Sequence, residues 1–231
     1  MRLSFWKAVR QLESCYGRPS LPVTRDPFEL ILYENIAYLV SDDRREKAFR
    51  ELKKRVGLRP ADVLTAPLEQ LAEITAMGGI LPELRARRLQ ESARLVRDQF
   101  GGNLRRVLAL DPAQARKALR KFPVIGEPGA DKILLFTGTV PTLAPESNGL
   151  RVLVRLGLVQ EHKNYSAMYR AAQTVLQDEF GAECPPLIAA HQLLKRHGQE
   201  LCRRSAPRCE ACPLRKTCPS AGAPRFSVPQ N

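Results

Sequence analysis

The sequence contains no long uninterrupted run of apolar residues. Nothing in its 231 residues approaches the roughly 18 consecutive apolar side chains that a membrane-spanning helix needs. The N-terminal segment MRLSFWKAVRQLESCYG also lacks the continuous apolar stretch of a secretory signal. These absences predict a soluble protein with no membrane partner, located in the cytoplasm.

The apolar/polar alternation that marks β-strands is also scarce. Apolar residues instead recur every three or four positions, as in Phe5, Val9 and Leu12. The pattern therefore predicts an all-α fold. Proline and glycine divide it into helices near 2–15, 27–41, 43–56, 60–65, 68–76, 83–99, 112–121, 128–137, 147–157, 164–179 and 186–197.

Acidic residues are too few to balance the basic ones. With 37 Lys and Arg against 24 Asp and Glu, the formal charge is +13. Basic residues cluster in 85–121 and again around the C-terminal cysteines. One such cluster could be an ordinary solvated helix face, but two in so basic a chain favour a nucleic-acid surface.

Cysteine is concentrated in one short segment. Four of the six cysteines follow the spacing C-x6-C-x2-C-x5-C, and they are Cys202, Cys209, Cys212 and Cys218. In a reducing compartment such a run indicates a metal site rather than disulfides. Zinc and iron–sulfur both remain possible, and the single C-x2-C pair favours iron–sulfur. Cys15 and Cys184 stand apart and are predicted to be buried small hydrophobic residues.

A second motif is the segment FPVIGEPGADKILL at 122–135, which follows the predicted helix DPAQARKALRKF. Proline and glycine after one helix, with proline opening the next, are typical of two helices joined by a hairpin. The amides near Gly126 and Gly129, at the turn and at the start of the second helix, are predicted to face a phosphate.

Both motifs, together with GGILPELRARRLQESA, SNGLRVLVRLGL and HQLLKRHGQELC, resemble the helix-hairpin-helix DNA glycosylases of the endonuclease III and adenine-mismatch group. That resemblance implies a two-lobed all-α fold with a [4Fe-4S] cluster on the four clustered cysteines. It also implies that damaged DNA is held in a cleft between the lobes. The expected divisions are a six-helix lobe at 21–138, a cluster-bearing lobe at 1–20 plus 139–220, and a disordered tail at 221–231.

The hairpin departs from the family pattern L-P-G-V-G-x-K-T-A, in which the lysine attacks the sugar. Pro128 occupies the place of that lysine, and proline has no side-chain amine. The resemblance therefore implies an enzyme that does not cleave the strand. Lys132 lies one helical turn further on, where a phosphate contact or a solvated lysine is favoured over a role as the missing nucleophile.

Two glutamates are candidate catalytic carboxylates. Glu146 stands where the family has its essential aspartate, but its alternative is a helix N-terminal acid that favours the macrodipole. Glu34 matches a catalytic glutamate of the adenine-mismatch enzymes and lies in an apolar helical stretch. Burial there would make it a proton donor to the leaving base, while a buried structural glutamate is the alternative.

The remaining candidate DNA contacts come from loops. The resemblance makes Ile80 or Leu81 an apolar wedge between base steps. The family's glutamine-containing segment is replaced by Tyr38, Leu39 and Val40, with core packing of Tyr38 favoured over base stacking. In the cysteine segment, Arg203 and Arg204 are predicted to form a phosphate-binding patch.

The sequence thus predicts a monomeric DNA glycosylase of base-excision repair, nucleoid-associated if bacterial. Its partner would be double-stranded DNA with a damaged or mismatched base. A DNA-binding protein that has kept the fold and cluster but lost catalysis is the alternative. The sequence does not identify the base that is removed.

Overall fold

The computed structural model describes residues 3–162 and 164–221. Within them the chain forms α-helices and short 3-10 helices and no β-strand, which confirms the all-α prediction. The α-helices are α1 (Phe5–Tyr16), α2 (Pro27–Asn35), α3 (Asp42–Arg55), α4 (Pro60–Thr65), α5 (Leu68–Met77), α6 (Pro82–Phe100), α7 (Pro112–Leu119), α8 (Glu127–Phe136), α9 (Ser147–Arg155), α10 (Tyr165–Leu176) and α11 (Cys184–Glu200). The 3-10 helices are Leu104–Ala109, Gln177–Glu179, Cys209–Ala211 and Arg215–Thr217.

Helix starts follow the local chemistry of the sequence. Asp26 caps α2 by accepting from the amides of Phe28 and Glu29, and Pro27 opens the helix. The same Asp-Pro arrangement starts α7 at Asp111 and Pro112. An aspartate cap satisfies amides that lack a helical partner, and proline has no amide to lose there.

Helix α2 ends at Asn35, six residues earlier than the predicted 41. The apolar pattern continues through Ile36 and Ala37, but the backbone turns away from the helix. The Tyr38 amide donates to the Gly78 carbonyl oxygen at 2.9 Å, and Leu39 lies in the left-handed region at φ 55°. A long-range backbone contact therefore overrides the local periodicity.

The chain divides into two compact units. Unit 2 spans Pro22–Thr139 and unit 1 combines Met1–Leu21 with Val140–Asn231. Unit 2 contains the seven helices α2–α8, and α4 lies at the predicted position 60–65. Its core includes Ile31, Leu52, Leu71, Leu89 and Ile133, all fully buried.

Unit 1 is built from α1, α9, α10, α11 and the cysteine segment, with Phe5, Leu12, Leu153, Tyr169 and Leu187 in its core. The predicted disordered tail lies, apart from its first residue, outside the described residues. Among the described helices, none is both long enough and apolar enough to span a bilayer.

The two isolated cysteines behave differently. Cys184 is buried at the start of α11, as predicted. Cys15 is exposed near the end of α1, so the prediction that it is a buried hydrophobic residue is wrong. The buried face of α1 is formed by Phe5, Ala8, Val9 and Leu12, and Cys15 lies beyond it in the last turn of the helix.

Candidate functional site

Helices α7 and α8 form the predicted hairpin in unit 2. Arg116 of α7 and Asp131 of α8 form an ion pair with a 2.5 Å separation, and Asp131 is buried. Helix α8 begins after Gly126, and no side chain caps its start. Pro128, the second residue of the helix, has no amide. Such an uncapped helix start favours an anion.

The hairpin turn itself carries a strained valine. Val124 has φ 59° and is exposed. A β-branched side chain is an outlier in this left-handed region, and its exposure means that packing does not hold it there. The turn geometry therefore persists despite the residue that occupies it.

Lys132 and Glu34 are brought together across 98 positions of the sequence. Lys132 of α8 donates to the Glu34 Oε1 atom of α2 at 2.6 Å, and their side chains are 18% and 25% exposed. Lys132 is therefore not a solvated lysine. Glu34 is not an isolated buried acid either, since its charge faces an ammonium group.

The end of α2 is also joined to the hairpin turn. The buried Asn35 side chain donates to the Pro123 carbonyl oxygen at 3.2 Å and to that of Ile31 at 3.0 Å. Glu34 precedes Asn35 directly. The ion pair therefore lies where α2 meets the hairpin.

Two loops of unit 2 expose large apolar side chains. Leu39 is 78% exposed and Leu81 56% exposed, and both have φ 55°. Tyr38 and Ile80, beside them in sequence, are more than half exposed as well. The prediction that Tyr38 packs in the core is wrong, because α2 has ended before it. Exposed leucines held in a strained conformation indicate a functional surface rather than packing.

Arg85 of α6 fixes these loops. Its guanidinium donates to the carbonyl oxygens of Ile36 (2.6 Å), Thr75 (2.7 Å), Gly79 (2.6 Å) and Ile80 (2.8 Å, from Nε). The residue is 3% exposed, so its predicted place in a DNA-facing basic surface is wrong. Burial lowers the pKa of Arg85, and the four carbonyl groups replace the water that it loses.

Glycine allows the two loops to approach. A Cβ atom at Gly78 would lie 2.2 Å from the Ile36 carbonyl oxygen, and one at Gly79 would lie 2.5 Å from that of Tyr38. Gly79 also has φ 110°, which other residues rarely adopt. The GG pair of the sequence is therefore required by close backbone contact.

In unit 1, Glu146 is the N-cap of α9. Its Oε1 atom accepts from the Gly149 amide at 2.9 Å, and its Oε2 atom accepts from the Asn148 side chain at 2.9 Å. Both of these donors are neutral. Glu146 therefore caps the helix, as the alternative interpretation predicted. Its carboxylate is partly exposed and is held in place at the start of α9.

A chain of contacts joins Glu146 to the cysteine segment. Arg151 donates to the Asn148 side-chain oxygen and the Gly198 carbonyl oxygen at 2.8 Å, and to the Cys202 carbonyl oxygen at 2.9 Å. Burial lowers the pKa of Arg151. The start of α9 and the beginning of the cysteine segment are therefore held by one guanidinium.

The four clustered cysteines are all partly buried. Burial raises the pKa of the Cys212 thiol, and the charges of the other three thiols raise it further. Among the described residues, no three His, Cys, Asp or Glu side chains converge as a site for a single metal ion. The four thiols are thus near enough to affect one another's pKa, but they do not form such a group.

Neighbouring side chains donate toward these sulfur atoms. Arg155 donates to the Cys202 Sγ atom at 3.4 Å and to the Arg203 and Arg204 carbonyl oxygens at 2.7 and 3.1 Å. The side chains of Arg203 and Arg204 are exposed, as a phosphate-binding patch requires.

No family model matches the chain, but individual proteins do. Endonuclease III of Bacillus subtilis is 25% identical over 197 residues, 85% of this chain and 82% of that protein. The thymine/uracil-DNA glycosylase of Methanothermobacter thermautotrophicus is 25% identical over 199 residues, 84% and 82% of the two chains. A solved structure of a trapped endonuclease III–DNA covalent intermediate has a TM-score of 0.75 at 22% identity, over 95% of this chain and 97% of that one.

In sequence and in fold the chain is therefore similar to the endonuclease III-like helix-hairpin-helix glycosylases. At the hairpin the sequence departs from the family pattern. Val124 stands where the family pattern has glycine, and Pro128 where it has lysine. The helix-hairpin-helix geometry nevertheless remains, because it depends on backbone contacts and on the ion pair between Arg116 and Asp131.

Three long-range contacts near Glu146 and the cysteine segment were not predicted from the sequence. Burial, with a contribution from the Glu146 charge, raises the pKa of Tyr165 to about 12, and its hydroxyl donates to the Pro145 carbonyl oxygen at 3.2 Å. His191 of α11 contacts the Ala144 carbonyl oxygen at 2.7 Å. His197 lies 3.6 Å from the Cys212 sulfur. No local motif marks these residues, since each acts on a distant segment.

Only some of the basic residues in 85–121 present an unpaired positive charge at the surface. Arg97 pairs with Asp98, Arg105 with Asp26 and Arg116 with Asp131. Exposed basic side chains of this cluster include Arg87, Arg94, Arg106, Lys117 and Arg120. Counting basic residues in the sequence therefore overstates the charge that faces a partner.

Proposed function

We propose that the protein is a monofunctional DNA glycosylase of base-excision repair: it hydrolyses the bond between a damaged or mismatched base and its sugar and does not cleave the strand. The observation that carries this proposal is Pro128 at the second position of α8. No amine is present at the place from which the family's lysine attacks the sugar, so an imine with the substrate cannot form there.

The proposed substrate is double-stranded DNA. The uncapped start of α8, around Gly126 and Gly129, supports a phosphate contact. The loops that carry Leu39, Ile80 and Leu81 support insertion of apolar side chains between bases as the target base is extruded. Several structural neighbours, including the endonuclease III complexes, were solved with DNA. We propose that the protein acts as a monomer in the compartment that holds the chromosome, the cytoplasm if the source is bacterial.

In the proposed reaction Glu146 stabilises the positive charge that develops on the sugar as the base departs. The carboxylate suits this role because the Gly149 amide and the Asn148 side chain fix its position without cancelling its charge. A fixed carboxylate near a developing cation acts with little reorganisation. Water then completes the hydrolysis.

We propose that Cys202, Cys209, Cys212 and Cys218 hold a [4Fe-4S] cluster. The support is the C-x6-C-x2-C-x5-C spacing of these cysteines in the sequence and their partial burial near one another. When bound, the cluster supplies folding free energy to this short segment. Arg151 and Arg155 would then keep Arg203 and Arg204 in place for phosphate contact.

The cluster is tested by iron and sulfide content of protein purified without oxygen, compared between wild type and Cys209→Ala. Four irons per chain in wild type, lost in the variant together with the folding of unit 1, support the proposal. A colourless wild-type protein with one zinc per chain contradicts it. Cys15→Ala is the matched control, because Cys15 is exposed and distant in sequence from the segment.

Base release is tested with duplex oligonucleotides that contain uracil, thymine opposite guanine, an oxidised pyrimidine, an alkylated purine or adenine opposite 8-oxoguanine. The proposal expects release of at least one base, with strand breaks only after alkali. Breaks that form without alkali at the rate of base release contradict a monofunctional enzyme.

A second function, lesion binding without catalysis, is favoured by one observation. Glu146 is a good helix cap, and a cap needs no catalytic role. Tight binding to a lesion duplex with no release from any of the five would establish that function instead.

A further inference from the structure

The Glu34–Lys132 ion pair lies between two elements assigned to DNA contact. Asn35, the next residue after Glu34, is bonded to Pro123 of the hairpin turn. Leu39, at the tip of the apolar loop, follows five residues after Glu34. A base extruded past that loop while the hairpin holds the backbone would therefore leave the stack near this pair.

The Glu34–Lys132 pair is suited to donating hydrogen bonds from its ammonium group and is poorly suited to acting as an acid that gives up a proton. The Lys132 ammonium has three N–H donors and gives one of them to Glu34 at 2.6 Å. Both side chains are partly exposed, so the ammonium is not sealed inside the protein. Glu34 beside a cation acts as an acceptor that fixes the direction of that cation.

We infer that Lys132 is a catalytic residue that stabilises a departing base whose negative charge falls on a carbonyl oxygen, and that Glu34 is the positioning residue which holds its ammonium. Uracil, thymine and oxidised pyrimidines are bases of this kind. The inference rests on the proposed glycosylase function and adds a further catalytic residue to it.

The chemical step balances without another reactant. The bond between the sugar C1′ and the pyrimidine N1 breaks, and both electrons stay on the base, where they delocalise onto its carbonyl oxygens. A Lys132 N–H donates to one of those oxygens and stabilises the charge. Water adds its oxygen to C1′ and loses a proton to solvent, while the base anion takes a proton from solvent.

Adenine departs differently. Its release is helped by protonation of a ring nitrogen, which requires a neutral acid close to the base. A glutamate paired with Lys132 does not provide that acid. The pair therefore disfavours mismatched adenine as the substrate, although the position of Glu34 resembles that of the adenine-mismatch enzymes.

The test compares two leaving groups in single-turnover release. Lys132→Met keeps most of the length of the side chain but removes its charge, and we expect it to slow release of uracil by about 100-fold. 5-Fluorouracil carries negative charge more easily, so the same variant is expected to slow its release by only about tenfold. Lys132→Arg, which retains a cation, is expected to recover part of the loss.

The matched control is Lys54→Met, on the exposed face of α3. We expect wild-type rates for both bases. Thermal melting and duplex affinity of each variant show that folding and binding are intact, and Lys132→Arg keeps the test decisive if Lys132→Met folds poorly.

Glu34 is tested by a double-mutant cycle. Glu34→Gln alone is expected to slow uracil release by about tenfold, and Glu34→Gln with Lys132→Met is expected to be no slower than Lys132→Met alone. Additive losses would show that Glu34 acts independently and would overturn the pairing.

Three further results would overturn the inference: equal losses on uracil and 5-fluorouracil, release of mismatched adenine but of no pyrimidine, or a borohydride-trapped adduct that requires Lys132. In each of these cases the wild type still releases a base, so the proposed glycosylase function survives except for its monofunctional part. If wild type releases no base at all, the proposed function fails and the inference fails with it.

Discussion

The two candidate carboxylates are held by different chemistry. Glu34 in unit 2 faces the ammonium of Lys132, so the pair carries no net charge. Glu146 in unit 1 is bonded to the Gly149 amide and the Asn148 side chain, and its negative charge remains. Glutamate therefore fixes a lysine side chain in unit 2, whereas in unit 1 it has no cationic partner among these contacts.

The two helix starts differ in the same way. Helix α9 is capped from within by Glu146, whereas α8 begins at a glycine that caps nothing. An occupied helix start has little left to bind an anion, while an empty one attracts it. This difference is why we propose phosphate binding at the start of α8 and charge stabilisation by Glu146 at the start of α9.

The largest effect is expected from Glu146→Gln. Glutamine retains an oxygen for the Gly149 amide but removes the charge, so base release should fall by about 1,000-fold. The free energy of unfolding should change by less than about 1 kcal/mol, because the cap persists. Single-turnover release and urea unfolding measure the two quantities. A loss of stability without a loss of rate would show that Glu146 is a cap and nothing more.

Arg85→Met tests whether the loops of unit 2 depend on one buried cation. The substitution removes the guanidinium donor from four main-chain carbonyl groups, and we expect the free energy of unfolding to fall by about 3 kcal/mol. Arg87→Met, two residues along the same helix and exposed, should change stability by less than about 0.5 kcal/mol. Equal stabilities of the two variants would remove Arg85 from this role.

Asn148→Ala tests whether the neutral donors of Glu146 fix the position of its carboxylate. It removes one neutral donor from the carboxylate and one acceptor from Arg151, so the acid should be less well fixed. We expect base release to slow by about tenfold, with DNA affinity unchanged. If the rate does not change, the Gly149 amide alone positions the carboxylate.

The smallest effect concerns the hairpin turn. Val124→Gly relieves the left-handed conformation of a β-branched residue, and we expect a gain of about 0.5–1 kcal/mol in unfolding free energy. Val175→Gly, in the exposed part of α10, should instead lose about 0.5 kcal/mol. Chemical denaturation of the two variants gives the signs, and a loss at position 124 would mean that the valine is not strained.

Much of the helical framework could be predicted from the sequence because it rests on local chemistry. The Asp-Pro pairs at 26–27 and 111–112 identify two helix starts, and the apolar periodicity identifies α1. The cysteine spacing and the hairpin segment carry the family resemblance. The long prediction at 27–41 was wrong because the bond between Tyr38 and Gly78 joins segments forty residues apart.

The chemistry of the site was less accessible to sequence reasoning. Nothing near Glu34 indicates that its partner is Lys132, which lies 98 residues away. Charge alone placed Arg85 on the surface, but its guanidinium is satisfied by backbone oxygens inside the protein. Long-range pairing of charged groups depends on tertiary structure, and one sequence carries no local trace of it.

Every hydrogen bond that Arg85 donates ends on a main-chain oxygen. The positions of the two loops are therefore insensitive to the identity of the side chains at 38–39 and 80–81. New residues can be tried at these tips without rebuilding the support beneath them. The side chains that the loops expose can therefore change while the loop backbones keep their positions.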